Sequence, residues 1–284
     1  MTPVLSYRRQ RRLEAVLLYG VTALVLLLIA FPAYWLVTTS IKPGIDQATS
    51  PPVLVPTRFS FESYTAVFAM SGVPRAFVNS AVIALVTTIL TTFLGSLAAY
   101  ALAKTYLSYK LRHALMLWIL VTRIFPPITT AIPYYVVVNR LRLGDTHLAL
   151  ILTYVSSGLP FVIWLMLGFF QDLPPEIEKA AIVDGCSLWQ RFHRIVLPLA
   201  LPGLAVTAIF AFIYSWNELL YASILTSFNA KTVPVVVAGF ISDQYLRWGE
   251  MSALGTLMIL PVMLFAAATQ RYLVRGLTFG AVKG

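Results

Sequence analysis

Few side chains in this 284-residue sequence are equipped for chemistry, and the most pointed group is Trp216-Asn217-Glu218 with Tyr221 just beyond it. An aromatic ring beside an amide and a carboxylate suits a polyhydroxylated ligand, whose apolar face stacks while its hydroxyls take hydrogen bonds. Glu218 stands inside a long apolar run, where a carboxylate is expensive and normally faces a cavity or a partner. The other reading is an anchor near the edge of that run. Arg123 is the second such charge, either paired or snorkelling, and turn counting leaves it on the order of 10 Å from Glu218 in depth. A further group is polar: Glu176, Glu178, Lys179 and Asp184 surround Ala180, Ala181 and Gly185 in a segment too hydrophilic to enter lipid. Other chemistries find no footing. The single Cys186 excludes an internal disulfide, and His113, His147 and His193 lack metal-ligand spacing. There is no Gly-x-x-x-x-Gly-Lys-Ser/Thr stretch, so the chain is not expected to hydrolyse ATP itself.

The elements that must position these groups are membrane helices. Hydrophobic residues make up 59% of the chain and charged ones 11%, with a mean hydropathy of +0.81, outside the range of soluble globular domains. Apolar residues fall into six blocks, 15–39, 76–103, 113–139, 148–171, 199–228 and 251–270. Each is long enough to cross ~30 Å of hydrocarbon at ~1.5 Å per helical residue. Helices follow because lipid leaves every backbone amide to be satisfied within its own segment. The alternating ~10-residue pattern of a β-barrel is absent. The first block is longer than a secretory h-region and lacks a small-x-small exit, so it reads as a spanning helix. The expectation is an all-α membrane protein of six transmembrane helices: an N-terminal segment 1–14, a transmembrane domain 15–276 interrupted by the loop 172–198, and a tail 277–284.

Six spans put both termini on one side, and the positive-inside rule makes that side cytoplasmic. This arrangement places thirteen Lys and Arg residues inside and seven outside; Arg140 and Arg142, outside, are the local exception. The net charge of +10 is spread over juxtamembrane positions, which suits anionic lipid and not nucleic acid.

Two loops carry helix signals. In the outer segment 41–75, Ser60 can cap a short helix with Phe61, Tyr64 and Phe68 on one face. That helix either lies in the interface without a partner or meets an extracytoplasmic binding protein. In the inner loop, Pro174-Pro175 opens a helix, Glu176 and Glu178 complement its positive end, and Gly185 supplies a left-handed stop. Ser187 and Gln190 then form the capping box of a second helix, whose spacing puts Leu188, Phe192, Ile195 and Leu199 on one face. This helix-Gly-helix unit is a docking knob or a tidy connector. Pro126, Pro127 and Pro133 break or kink the third span, which is tolerable where it lines water or protein.

Glu178-Lys179-Ala180-Ala181-Ile182-Val183-Asp184-Gly185, followed by Ile195-Val196-Leu197-Pro198, resembles the EAA loop of ABC importer permeases, in particular the carbohydrate group typified by the maltose and trehalose systems. Asn79-Ser80, Ala98-Ala99-Tyr100, Phe125-Pro126-Pro127 with Pro133, Asp145-Thr146, Ser215-Trp216-Asn217-Glu218, Gly276-Leu277-Thr278 and Gly280 to Gly284 extend the resemblance along the chain.

The resemblance implies a type I ABC importer permease fold in a bacterial plasma (inner) membrane. This chain and a second permease subunit would form the pathway as a heterodimer. Two ATPase subunits would bind ATP and Mg, and an extracytoplasmic sugar-binding protein would deliver the solute. The chain itself would be non-catalytic and bind no cofactor. Glu178, Lys179, Ala180, Ala181, Asp184, Gly185 and Pro198 would form the ATPase-coupling element, with Gly280 to Gly284 also reaching toward the ATPase. Trp216, Asn217, Glu218 and Tyr221 would belong to the translocation pathway. Lys179 departs from the family, which places an acid before the two alanines, so an ion pair to an ATPase arginine cannot form there. Glu178 points about 100° away on a helix and substitutes only in part. The alternative function is a secondary transporter or channel without an ATPase; such proteins often show inverted halves and several midplane ion-coupling groups, and only Arg123 and Glu218 qualify here. Sugars, polyols and glycerol-phosphate-like solutes share this scaffold.

Overall fold

The computed structural model describes residues 3–104, 107–240 and 247–281, and the regular elements among them are all helical. In chain order they are α1 (Pro3–Ser40), α2 (Glu62–Ala69), α3 (Val73–Lys104), α4 (Tyr109–Ile124), α5 (Pro127–Arg140), α6 (His147–Gln171) and α7 (Pro175–Val183). Then come α8 (Leu188–Gln190), a π-helical turn (Arg191–Val196), α9 (Leu197–Leu199), α10 (Leu201–Asn217), α11 (Leu220–Leu225), α12 (Val233–Ala238) and α13 (Trp248–Ala281). Residues 282–284 and the side chains of 3–10, 12 and 271–281 lie outside the described set, and with them the C-terminal contact expected of Gly280 to Gly284.

Four described stretches are long and apolar enough to cross a membrane without interruption: Leu13–Ser40, Val73–Lys104, His147–Gln171 and Trp248–Gln270. The count reaches 6 when each of two bent pairs is one span, α4 with α5 at 96° and Leu188–Leu199 with α10 at 80°. Proline chemistry makes the first bend. Phe125 and Pro126 have ψ values of 127° and 136°, because the residue before a proline is driven out of the helical region. The expected fifth span, 199–228, is broken as well: α10 stops at Asn217, Glu218 is extended, and α11 resumes at Leu220.

The chain divides into two compact units, residues 72–239 with 260–284 and residues 1–71 with 240–259. The larger is organised on α3, α6 and α10. Helices in lipid gain little from burying apolar surface and associate instead through close packing of small residues. Ala84, Gly95, Ser96 and Ala99 accordingly lie buried along α3, and a Cβ at Gly95 would collide with the Val162 side chain of α6. At the end of this unit that carries α7, Tyr100, Met166, Phe170, Phe192 and Val196 form an apolar cluster. Ile83, Leu150, Tyr154, Tyr221 and Leu225 form another at the opposite end.

In the smaller unit the most apolar window of α1 has none of its residues buried, which leaves its flanks to lipid or to another chain. The segment after α1 is tied down by Ser60 N to Ile41 O (2.9 Å) and by the Ser40 and Tyr64 hydroxyls (2.8 Å). Lys42 is 1% exposed and holds its ammonium 3.9 Å from the Trp35 ring centroid. Burial lowers its pKa, and Asp46 opposes that shift. Helix α2 begins at Glu62, whose N–H donates to Ser60 Oγ at 3.3 Å. Phe61 and Phe68 are left exposed beside it.

Candidate functional site

The connector between α6 and α10 follows its local sequence signals up to Gln190. Pro175 occupies the first turn of α7 with Glu176 and Glu178, where a missing N–H costs nothing and negative charge meets the helix dipole. Gly185, at φ +76°, ends the helix: its N–H donates to Ile182 O at 3.0 Å, and the Cys186 N–H donates to Ala181 O at 2.9 Å. The capping box is formed, with Gln190 N donating to Ser187 Oγ and Ser187 N donating to Gln190 Oε1 at 2.8 Å.

Beyond Gln190 the expected α-helical stripe is corrected. The π-helical turn Arg191–Val196 widens the helix, so Phe192, Val196 and Ala200 turn inward, at 2%, 1% and 4% exposure. Leu188 and Leu199, expected on one face with Phe192, are both 47% exposed. Pro198 is exposed within α9.

Helix α7 is fastened to α3 through Glu178. Tyr100 donates its hydroxyl to Glu178 Oε1 at 2.6 Å, Lys104 Nζ lies 3.6 Å from Oε2, and Lys104 also donates to Leu173 O at 3.2 Å. The Lys104 and Glu178 side chains are 11% and 12% exposed, so the pair is largely shielded from water. Glu178, the expected partial substitute for an outward-facing acid, therefore points into its own chain. Ala181 is also buried, whereas Lys179, Ala180, Asp184 and Gly185 are exposed, together with Ile182 at 45% and Val183 at 86%. That leaves a small-residue face with an apolar rim and one cation.

The second constellation is split by the break after α10. Glu218 folds back over the first turn of α11, accepting from Tyr221 N at 2.9 Å and Ala222 N at 3.1 Å, so its carboxyl oxygens meet amides that have no partner within the helix. Trp216 is 2% exposed and stacked on Phe212, and exposed Asn217 donates to Ile213 O at 2.9 Å. Arg123 does not pair with Glu218 but lies over the Phe161 ring, 5.5 Å from its centroid, a cation–π contact.

Tyr221, by contrast, borders a cleft of about 790 Å³ between α4, α5, α6 and α10. The cleft presents aromatic rings and hydroxyls, with the Arg123 guanidinium among its lining. Tyr221 and Thr130 are paired at 2.7 Å, Tyr134 and Ser156 at 2.8 Å, and Tyr214 and Ser157 at 2.8 Å. The Tyr134 and Tyr221 rings meet edge to face at 5.4 Å. Phe125 and Pro127, at the α4/α5 bend, complete part of the wall. Sequence reasoning passed over Tyr134, Ser156, Ser157 and Tyr214. The available signal was the recurrence of hydroxyls in otherwise apolar spans.

A third cluster explains Asn79-Ser80 and Asp145-Thr146. Asp145, in the left-handed region at φ 56°, accepts N–H groups from Ser227 (3.0 Å), Phe228 (3.1 Å), Asn229 (2.8 Å) and Ala230 (3.0 Å). Burial alone would raise its pKa, but the backbone donors outweigh it and pull the carboxyl down to about 2. Asn79 Nδ2 donates to the carbonyls of Asn229 and Lys231, its Oδ1 meets His147 Nε2 at 2.7 Å, and Val233 N donates to Ser80 Oγ. Loop 226–232 is thereby tied to α3 and to the start of α6.

Known proteins share this architecture. A bacterial ABC transporter involved in the import of the acidic polysaccharide alginate has a chain that superposes with a TM-score of 0.76 over 93% of this chain and 98% of its own, at 22% identity, a likeness of fold. A probable ABC transporter permease protein of Sinorhizobium fredii is 41% identical over 97% of both chains. The trehalose transport system permease protein of Mycobacterium tuberculosis is 35% identical over 89% of this chain and 92% of its own. The model of the binding-protein-dependent transport system inner membrane component family matches residues 91–279, a stretch that includes α7, the cleft and Asp145. The chain belongs to that family: it is a multi-pass permease subunit of a binding-protein-dependent ABC importer.

Proposed function

We propose that this chain carries a sugar through a bacterial inner membrane as one half of a heterodimeric pathway, driven by two ATPase subunits that hold the ATP and Mg. The observation that carries this reading is α7, a helix with an exposed face of Lys179, Ala180, Val183 and Asp184 and an inner face anchored on α3. Such a helix can take up a neighbour's displacement and pass it to the spanning helices. Docking rests on shape and apolar contact, with Ala180 and Gly185 permitting close approach, because Lys179 offers no acid and Glu178 is committed to Tyr100 and Lys104. ATPase closure would then rock α3 and the helices packed on it. Both termini and the loop 172–198 lie in the cytoplasm in this reading. An extracytoplasmic sugar-binding protein engages the opposite side, with exposed Phe61 and Phe68 beside α2 suited to contact it.

Tyr221 and the hydroxyl-lined cleft supply the pathway, and Glu218 shapes it by holding α11. Hydroxyls and aromatic faces, with Arg123 as a further hydrogen-bond donor, suit a polyhydroxylated solute, in keeping with the mycobacterial relative named for trehalose. No cofactor is assigned to this chain, and it carries no catalytic role of its own. Two measurements test the proposal. A Val183→Cys substitution in a Cys186→Ser background should react with impermeant thiol reagents in inverted vesicles and not in right-side-out ones. The complex purified with its ATPases should import labelled trehalose, or another sugar of a small panel, only with ATP and a binding protein present. Labelling from outside, or import without the ATPase, refutes the reading.

A further inference from the structure

Helix α7 has two sides, and Ala181, 3% exposed, marks the buried one. At about 100° per residue, Lys179 and Val183, two positions before and after Ala181, each fall about 160° away from it. The two therefore flank the line that faces directly outward. Val183 is 86% exposed, Ile182 45%, and Lys179 and Ala180 are exposed with them. Lys179 is central along the axis too, as the fifth of the nine residues from Pro175 to Val183. Contiguous apolar side chains left exposed in a polar segment mark a surface that another chain covers, and here a cation stands in the middle of it.

That ammonium has no partner within the chain. Among the described residues the ion pair is Lys104 with Glu178, and Glu178 also accepts from Tyr100 at 2.6 Å, which commits it to α3. Glu176 is exposed three residues ahead of Lys179, a spacing that permits pairing on a helix, yet the two form no ion pair. Glu176 lies in the first turn and Asp184 at the opposite end, so both acids are rim groups. A rim charge keeps its water when surfaces meet, whereas a charge at the centre of a contact loses it. An ammonium stripped of water and left unpaired is strongly disfavoured.

We propose that the ATPase surface receiving α7 presents a carboxylate opposite Lys179, and that docking closes an ion pair between the two chains at the centre of the contact. The inference rests on the docking of α7 argued above and adds the charge of the partner at one point. Small side chains and apolar contact bring the surfaces together. The pair then selects among ATPases, because one with a basic residue at that point meets like charge and is rejected.

The test uses the whole complex, both permease chains with their ATPases, purified from membranes and treated with a water-soluble carbodiimide. This reagent condenses a lysine amine with a carboxylate in direct contact, forming an amide with loss of water. Peptide mass spectrometry should find Lys179 joined to an Asp or Glu of the ATPase. Lys179→Glu should lower copurified ATPase at least tenfold, while Lys179→Arg should recover most of that loss and give no such amide. Glu176→Gln should retain most of the ATPase. If Lys179→Glu fails to reach the membrane, Lys179→Met replaces it, with a severalfold loss expected. A parent complex that contains ATPase but yields no Lys179 amide to it overturns the inference. So does parent-like ATPase recovery in Lys179→Glu or its replacement, and so does a loss in Glu176→Gln equal to that in Lys179→Glu, which would place the counter-charge on α7 itself. A parent that copurifies no ATPase overturns the docking reading, and the ion pair with it.

Discussion

Removing the Glu178 carboxylate is the most direct way to ask whether α7 moves α3. Two contacts disappear in Glu178→Ala: the 2.6 Å bond from the Tyr100 hydroxyl and the 3.6 Å pairing with Lys104. A hydrogen bond to a charged group contributes about 1.5–3 kcal/mol, and leaving a shielded partner unpaired adds a further penalty. At 11% and 12% exposure the pair is closer to the buried regime, in which breaking one side costs about 3–5 kcal/mol, than to the surface regime of below about 1. Taking about 3 kcal/mol, the balance between fastened and loosened α7 shifts by about two decades. Tyr100→Phe removes only the shorter bond and should shift it by about one decade. The assay is solute imported per ATP hydrolysed in proteoliposomes. Hydrolysis should persist in both variants while import per ATP falls, at least tenfold in Glu178→Ala and less in Tyr100→Phe. The double variant should resemble Glu178→Ala, because two residues joined by one bond lose it once. Unchanged import per ATP, or losses that simply add, refutes the linkage.

Three other perturbations have defined outcomes. No atom lies within 4 Å of a Cβ built at Gly185, so only its backbone at φ +76° resists substitution; Gly185→Val should cost ~1–2 kcal/mol and reduce copurified ATPase, and Gly185→Asn, which tolerates that conformation, should retain most of it. Glu218→Gln replaces one of the two oxygens that accept the amides at the start of α11 and should alter uptake kinetics, at a cost of about 0.5–2 kcal/mol, while the complex still assembles; wholly unaltered kinetics would reduce Glu218 to an anchor. Asp145 has a folded pKa below the ordinary 3.8, at about 2, so its stabilisation is present above about pH 4 and disappears as the pH falls through 2. The shift corresponds to at most about 2.4 kcal/mol, and solvent screening of the partly exposed group lowers it to on the order of 1. Thermal melting of the purified complex should show this acid-dependent loss between pH 4 and 2, and Asp145→Asn should lack that component.

What could be read from the sequence was whatever depended on neighbours along the chain. The apolar blocks, the Pro-Pro start and Gly185 stop of α7, the Ser187/Gln190 box and the bend at Pro126-Pro127 are local programmes that packing had no cause to override. What escaped depends on distant partners. The turn of Glu178 toward Tyr100 and Lys104 needs α3 and α7 to be placed together, across 78 positions in sequence for the tyrosine. The break after Asn217 carries no proline or glycine; the Glu218 side chain, accepting the first amides of α11, makes it possible. The π turn came from tertiary packing too, since inserting Phe192 and Val196 beneath Tyr100 and Phe170 demanded a different helical period. For Trp216 the sequence argument supplied chemistry without direction, and the ring lies against Phe212.

The 96° corner between α4 and α5 has a consequence for how the chain can live in a bilayer. The final carbonyls of α4 lose their intrahelical acceptor role there, and hydrocarbon offers no donor to replace it. Acyl chains therefore cannot seal against this flank, and either solvent or a companion polypeptide must wet it. Without a companion polypeptide, water would enter at this corner part-way into the membrane, so survival of the protein outside its assembly should depend on how well a detergent belt imitates the absent wall.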